Sequence, residues 1–331
     1  MRTLADRRQI SALFVHHGPV VLARDADAAG ISRSVLRRSA DRGELTRLGK
    51  AAFVSTSTFE AASTWEAFRL RSVAFSLSSG PDTFLTGAAA ASLLEIPMVG
   101  EPPDRPTALR PGNAHIGHDR SPYGRVRHGY LPPSHQTRRG RAFTVSPAYC
   151  AVDIARHYGS RDGIVAADRV LALGVHREVL ANLIEHMDRY PGIESARWTV
   201  EHADSRAESP LESLGRFAFL SAGLPAPVSN AWIPVAGQWF RADHLLPEQG
   251  VILEADGAVK YDNRLDAAAL VRADRDRERL LRSLHFGIAR YGWNLAMGRP
   301  SEIIRRVQEA ARLRSGHAAP TCWTLTPPWA A

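Results

Sequence analysis

Residues 241–257 read Arg241-Ala-Asp243-His-Leu-Leu-Pro-Glu-Gln-Gly-Val-Ile-Leu-Glu254-Ala-Asp256-Gly257, and this stretch decides how the C-terminal half is read. An acid, Asp243, closes one expected strand, and a tight turn follows at Glu248-Gln-Gly250. A second apolar strand, Val251 to Leu253, runs directly into Glu254 and Asp256. Because side chains alternate along a strand, Glu254 and Asp256 are expected on one face, and the hairpin can bring Asp243 beside them. Three carboxylates gathered at an apolar hairpin repel one another unless a cation neutralises them. Hard oxygen ligands suit Mg²⁺ or Mn²⁺. Lys260, a few residues on, is available to orient a water or stabilise a developing anion. The expected chemistry is metal-dependent hydrolysis of a phosphodiester.

The order of these parts resembles the PD-(D/E)xK nuclease superfamily, and more narrowly its very-short-patch-repair-like endonuclease branch. The matching residues are Glu254-Ala-Asp-Gly257, Lys260-Tyr261, a charged helix from Arg264 to Leu284, and a final strand, Phe286-Gly-Ile-Ala-Arg-Tyr291. Upstream, the helix Glu208-Ser-Pro-Leu-Glu212-Ser-Leu-Gly-Arg216 precedes Gly223-Leu-Pro-Ala-Pro227. There Glu212 stands where the superfamily carries a helix-borne acid. The resemblance covers about residues 205–312 and implies an α/β/α restriction-endonuclease-like domain. It also implies that Asp243 and Glu254 hold a metal ion, with Asp256 as a further ligand or water-orienting base. Lys260 would stabilise phosphorane-like charge and Glu212 would complete the metal shell through water. Asp256 occupies the position of the third motif's Lys, so Lys260 would act from a displaced site.

The N-terminal segment, residues 1–58, reads as a winged helix-turn-helix. Ile10, Leu13 and Phe14 give an opening helix that ends near His17-Gly18-Pro19. A short helix from Arg24 to Ala29 stops at Gly30, and Ser32 can cap a third helix running through Arg42. On that helix Val35, Leu36 and Ala40 face inward. Arg33, Arg37, Arg38 and Arg42 form an outward row suited to the major groove and its flanking phosphates. Gly43 closes the helix, and Glu44-Leu-Thr-Arg-Leu-Gly-Lys-Ala-Ala-Phe-Val54 reads as the wing, with Gly49 at its tip and Lys50 beside it. The stretches Ala23-Arg-Asp-Ala-Asp-Ala-Ala-Gly30 and Gly43-Glu-Leu-Thr-Arg-Leu-Gly49 are similar to the winged helix of AbiEi-type antitoxins. That resemblance implies transcriptional autoregulation in a toxin–antitoxin system and, as partners, duplex DNA and a cognate toxin.

Between these lies a mixed α/β connector, residues 59–204. Trp65 to Leu77, Thr86 to Leu94, Ser146 to Arg156 and Asp162 to Leu171 read as helices. Residues 101–141 hold eight Arg against three acids and read as short strands and loops. Arg125-Val-Arg127-His128 and Arg138-Arg139-Gly-Arg141 there are candidates for phosphate contact. His115 and His118 have spacing too generic to identify a metal site. Residues 313–331 read as an irregular tail carrying Trp323 and Trp329.

The whole is thus expected to be an α+β multidomain protein. Its 331 residues exceed one modest core, and 44% hydrophobic with 23% charged residues is ordinary for a globular chain. A formal charge of +8, carried mostly by Arg, favours a polyanionic partner. Cys150 and Cys322 make no CxxC pair. No apolar run approaches the roughly 18 residues of a membrane span, so a cytoplasmic protein without a membrane partner is expected. Neither a Walker-type GxxxxGK nor a GxGxxG after a strand occurs, which disfavours ATP hydrolysis and dinucleotide chemistry. The leading reading is a Mg²⁺- or Mn²⁺-dependent DNA endonuclease. The alternative is a non-catalytic, antitoxin-like regulator with an inactive nuclease fold. A homodimer on two half-sites is compatible with either reading.

Overall fold

In this computed structural model, residues 2–112, 118–257, 267–314, 316–327 and 329 are described. Lys260, Tyr261 and His115 lie outside the described residues. Among the described residues the architecture is α+β with three sheets, divided into two compact units. One holds residues 1–166 and 175–200, the other 167–174 and 201–331. Among the described residues, no helix is long and apolar enough to cross a membrane.

The first unit opens with α1 (Arg2–His17), β1 (Val21–Leu22), α2 (Ala23–Ala28), α3 (Arg33–Asp41), β2 (Leu45–Arg47) and β3 (Ala52–Ser55). The Ser32 hydroxyl accepts the Ser34 N–H and starts α3. Gly43 follows the helix at φ 72°, a left-handed conformation that costs glycine little. Ile10, Leu13, Val35, Leu36 and Leu45 form one buried cluster, with Phe14 and Ala40 packed on it. The strands pair in the order β1-β3-β2. A second cluster, Val20, Leu22, Ala52 and Val54, packs on Ala74 and Leu77 of α5 (Thr64–Ser79). The N-terminal segment and the first connector helix therefore share a core. Gly49 is buried, 3.2 Å from the Ala52 Cβ as measured from an added Cβ, and Lys50 is exposed in the β2–β3 turn.

After α4 (Thr56–Ala61), a six-stranded sheet follows, ordered β6-β7-β5-β4-β9-β8. Its strands are β4 (Phe84–Thr86), β5 (Thr107–Pro111), β6 (His118–Ser121), β7 (Gly124–Gly129), β8 (Gln136–Arg139) and β9 (Ala142–Val145). The connector's Arg-rich loops are thus edge and inner strands of a continuous sheet. Its helices are α6 (Gly87–Leu94), α7 (Pro147–Tyr158), α8 (Ser160–Ala172), α9 (Arg177–Glu185) and α10 (Ile193–His202).

The second unit contains α11 (Pro210–Ser221), β10 (Val228–Val235), β11 (Gln238–Leu246), β12 (Val251–Ala255), α12 (Ala267–Ser283), β13 (Gly287–Tyr291), α13 (Trp293–Gly298) and α14 (Pro300–Leu313). The sheet order is β10-β11-β12-β13, antiparallel until the last pair, which is parallel across α12. Strand alternation breaks at one place. Val228, Ala231, Ile233 and Val235 of β10 share a cluster with Phe240, Ala242 and Leu245 of β11, so each strand changes faces once. The break falls at Asn230 and Asp243, opposite positions in the β10–β11 register, where Asn230 adopts φ 54°. Asn is among the few residues that tolerate that conformation. Asp243 therefore lies inside β11, at its irregular point, and not at the strand's end as the sequence suggested.

Candidate functional site

The site is built on an enclosed pair, His244 and Tyr291, whose residues are 0% and 1% exposed. The Tyr291 hydroxyl donates to the Leu211 carbonyl at 2.9 Å. It must therefore accept from His244 Nε2–H, also at 2.9 Å, which sets the imidazole's tautomer. Burial, helped by the Arg216 charge, pushes the His244 pKa down to about 3. Gly215 of α11 lets this pair approach the helix. A Cβ there would stand 2.1 Å from the Tyr291 hydroxyl and 2.8 Å from His244 Nε2.

Three of the predicted acids act on Tyr291 through their charge. Burial raises its hydroxyl pKa well above normal, and the charges of Asp243, Glu212 and Glu254 raise it further. Each acid has protein partners. The β11–β12 ladder ends at His244 and Leu253, and beyond it the Asp243 carboxylate accepts the Ala255 N–H at 2.8 Å. Asp243 thus continues the ladder with a side chain. Glu212 is buried in the first turn of α11, where it accepts the Glu208 N–H (2.9 Å) and the Ser209 hydroxyl (2.8 Å). The Asn230 amide, 3.2 Å away, donates to it as well. Its pKa is raised, chiefly by burial and also by the Asp243 charge.

Glu254, 8% exposed, forms an ion pair with Arg277 of α12 at 2.9 Å. The same Arg277 nitrogen donates to the Arg241 carbonyl at 2.8 Å. Asp256 lies past the end of β12. Its N–H donates to the Tyr291 carbonyl (2.8 Å), and its carboxylate sits 3.8 Å from Arg290, which also contacts Glu278 at 3.3 Å. Glu212, Asp243 and Glu254 are therefore brought near one residue, while Asp256 is drawn toward Arg290. Among the described residues, no group of three His, Cys, Asp or Glu side chains is arranged to hold a metal ion. The fit to Mg²⁺ or Mn²⁺ is poor there, because a guanidinium already supplies the cation at Glu254. The sequence reading did not single out Arg277. The signal was present: Arg277 precedes Leu281 and Leu284 by four and seven residues, so it lies on the apolar, sheet-facing stripe.

The predicted DNA-facing side chains are all exposed on α3 and the β2–β3 turn. Arg33 is bonded to Asp27 (2.6 Å), Arg38 to Asp6 (3.2 Å) and Arg42 to Glu44 (2.8 Å). Arg37 makes no ion pair among the described residues. The Lys50 carbonyl accepts from Arg47, which folds the turn on itself. In the connector, Arg141 is committed to Asp25 at 2.7 Å, and Arg138 lies over the Phe143 ring, 4.9 Å from its centroid.

No family model matches the chain. It is 30% identical over 119 residues to two proteins from Mycobacterium tuberculosis, uncharacterized protein MT2308 of strain CDC 1551 / Oshkosh and uncharacterized protein Rv2248 of strain ATCC 25618 / H37Rv. The match spans 35% of this chain and 43% of each relative. Among solved structures, the RV2827C protein of Mycobacterium tuberculosis aligns with 68% of this chain and 84% of its own, at 16% identity and a TM-score of 0.35.

Proposed function

We propose that this chain is a DNA-binding regulator, with a winged helix-turn-helix at its N-terminus and a PD-(D/E)xK-type domain that serves as a non-catalytic platform. The observation that carries the non-catalytic reading is Arg277 on Glu254. An internal guanidinium offsets the carboxylate charge that a divalent cation would otherwise neutralise. Asp243 and Glu212 are likewise occupied, one by a backbone N–H and the other by a helix cap. The order α11-β10-β11-β12-α12-β13, with a parallel final pair, supports the nuclease-type assignment of this unit.

DNA binding is supported by the exposed arginine row on α3. Arg38 and Arg42 are tied to the buried Asp6, but the Arg33–Asp27 pair is exposed on both sides, and exposed ion pairs are worth only about 0–1 kcal/mol. Exchanging such a carboxylate for a backbone phosphate therefore costs little, and Arg37 needs no exchange. Contacts of this kind supply affinity and register rather than sequence choice.

A second reading, a Mg²⁺- or Mn²⁺-dependent endonuclease, is favoured by the convergence of Glu212, Asp243 and Glu254 on Tyr291. One experiment separates the two: incubate supercoiled plasmid with the full chain in Mg²⁺, Mn²⁺ or EDTA and follow both retardation and nicking. The regulator reading expects retardation in all three and nicking in none. Metal-dependent nicking that disappears in Glu254→Ala would overturn it in favour of the enzyme. Arg37→Ala should weaken retardation and lower the salt slope of binding by about one.

A further inference from the structure

A basic cavity of about 630 Å³ opens on the six-stranded sheet of the first unit, and its lining includes no residue of α3. Its floor and wall follow from strand register. β5 and β7 run parallel and β6 pairs antiparallel with β7, so Thr107, Arg125 and Arg120 are direct neighbours across three strands. Cross-strand neighbours share a face. Arg127, two residues along β7, lies on the same face as Arg125. Arg105 completes the rim, held by its bond to the Ser121 carbonyl at 3.4 Å.

Charge makes this more than a solvated sheet face. Among the described lining residues, four guanidiniums stand against one carboxylate, Asp104. Beneath Arg127, the buried Asp153 does not restore the balance, because it is shared. Arg127 bonds to it directly, Arg156 lies at 3.6 Å and His157 at 3.4 Å, and the Thr86 hydroxyl donates at 2.6 Å. One carboxylate thus serves two guanidiniums, and a positive charge is left over even with His157 neutral. Arg127 is only 12% exposed, and its buried Nε–H has no acceptor among the described residues. A buried donor without an acceptor costs stability. Asp153 also fixes the direction of Arg127.

We infer that this cavity is a binding site for a phosphate group, gripped by Arg120 and Arg125 at the mouth and met by Arg127 at the floor. Its volume falls in the range of small-ligand pockets and accommodates an oligophosphate. Phosphate can arrive on a free nucleotide or on a nucleic-acid strand, and the chemistry of capture is shared.

The test is isothermal titration of the full chain with pyrophosphate, beside an Arg120→Ala/Arg125→Ala double variant and Arg37→Ala. Both cavity arginines are exposed, so the double variant should melt at the native temperature. The expected result is pyrophosphate binding that weakens by about tenfold or more in the double variant and is unchanged in Arg37→Ala. The proposal fails if the native chain does not bind pyrophosphate. It fails equally if a normally melting double variant binds as well as native, or if the loss follows Arg37. Competition then assigns the source. Displacement by ATP alone indicates free nucleotide, and displacement by a short single-stranded oligonucleotide, with steep salt dependence, indicates a polynucleotide backbone.

Discussion

At Gly215 a missing methyl group decides how the second unit packs. A Cβ there would collide with the Tyr291 hydroxyl, and both His244 and Tyr291 are too enclosed to move aside. Gly215→Ala is expected to cost about 1–3 kcal/mol through overpacking, read as a lowered urea midpoint without change of slope. His244 gives a pH signature. Its folded pKa of about 3 lies below the ordinary value of 6.5. As pH falls below 6.5 the unfolded chain takes up a proton that the folded imidazole refuses. Stability from this group is thus complete above pH 6.5 and declines toward pH 3, by about 1.4 kcal/mol per pH unit within that window. Denaturation at pH 7.5 and pH 5 should show a steeper acid loss for the native protein than for His244→Gln. Equal losses would remove the imidazole from the account.

The tail matters at the scale of elements. β10 is an edge of the four-stranded sheet, and exposed edges invite pairing with other chains. Here Thr324 covers it: the Thr324 N–H donates to the Trp232 carbonyl (2.9 Å) and the Trp232 N–H to the Thr324 carbonyl (2.8 Å). Trp323 packs on the core beneath, and Trp329 meets Trp232 edge-on with centroids 4.7 Å apart. The sequence left the docking of these tryptophans open, because their partner is nearly a hundred residues away and has no local signature. Thr324→Pro removes one of the two bonds. A loss of about 1 kcal/mol is expected, with concentration-dependent self-association on size exclusion. A variant as stable and monodisperse as native would show that the bridge contributes nothing. By contrast α3 was legible almost residue by residue, since Ser32, Gly43 and the Val35/Leu36 spacing act within one or two turns.

For the whole molecule, the informative residue is Asp168. It belongs to the second compact unit although residues 175–200 of the first intervene before that unit resumes. Its carboxylate pairs with Arg216 (2.9 Å) and accepts the Ser213 hydroxyl (2.8 Å) and the Asp204 N–H (2.6 Å). Arg216 is only 4% exposed. A fragment beginning at 201 would leave that guanidinium the more distant Asp204 carboxylate, at 3.8 Å, and the His202 carbonyl, and removing one partner of a buried pair typically costs about 3–5 kcal/mol. A fragment beginning at 160 should therefore unfold at clearly higher urea than one beginning at 201. Similar midpoints would mean that the second unit is complete without residues 167–174.

Local pattern determined the capped arginine helix and the β11–β12 hairpin. Those features depend on contacts within a turn or across a tight hairpin, where spacing alone carries the information. Only the tertiary structure decided that Arg277 pairs with Glu254, that Asp243 bonds the Ala255 N–H, and that Arg120, Arg125 and Arg127 share one cavity. Each of those outcomes depends on strand register and helix docking between distant segments. There the energetics choose among several chemically equivalent partners that the sequence offers alike.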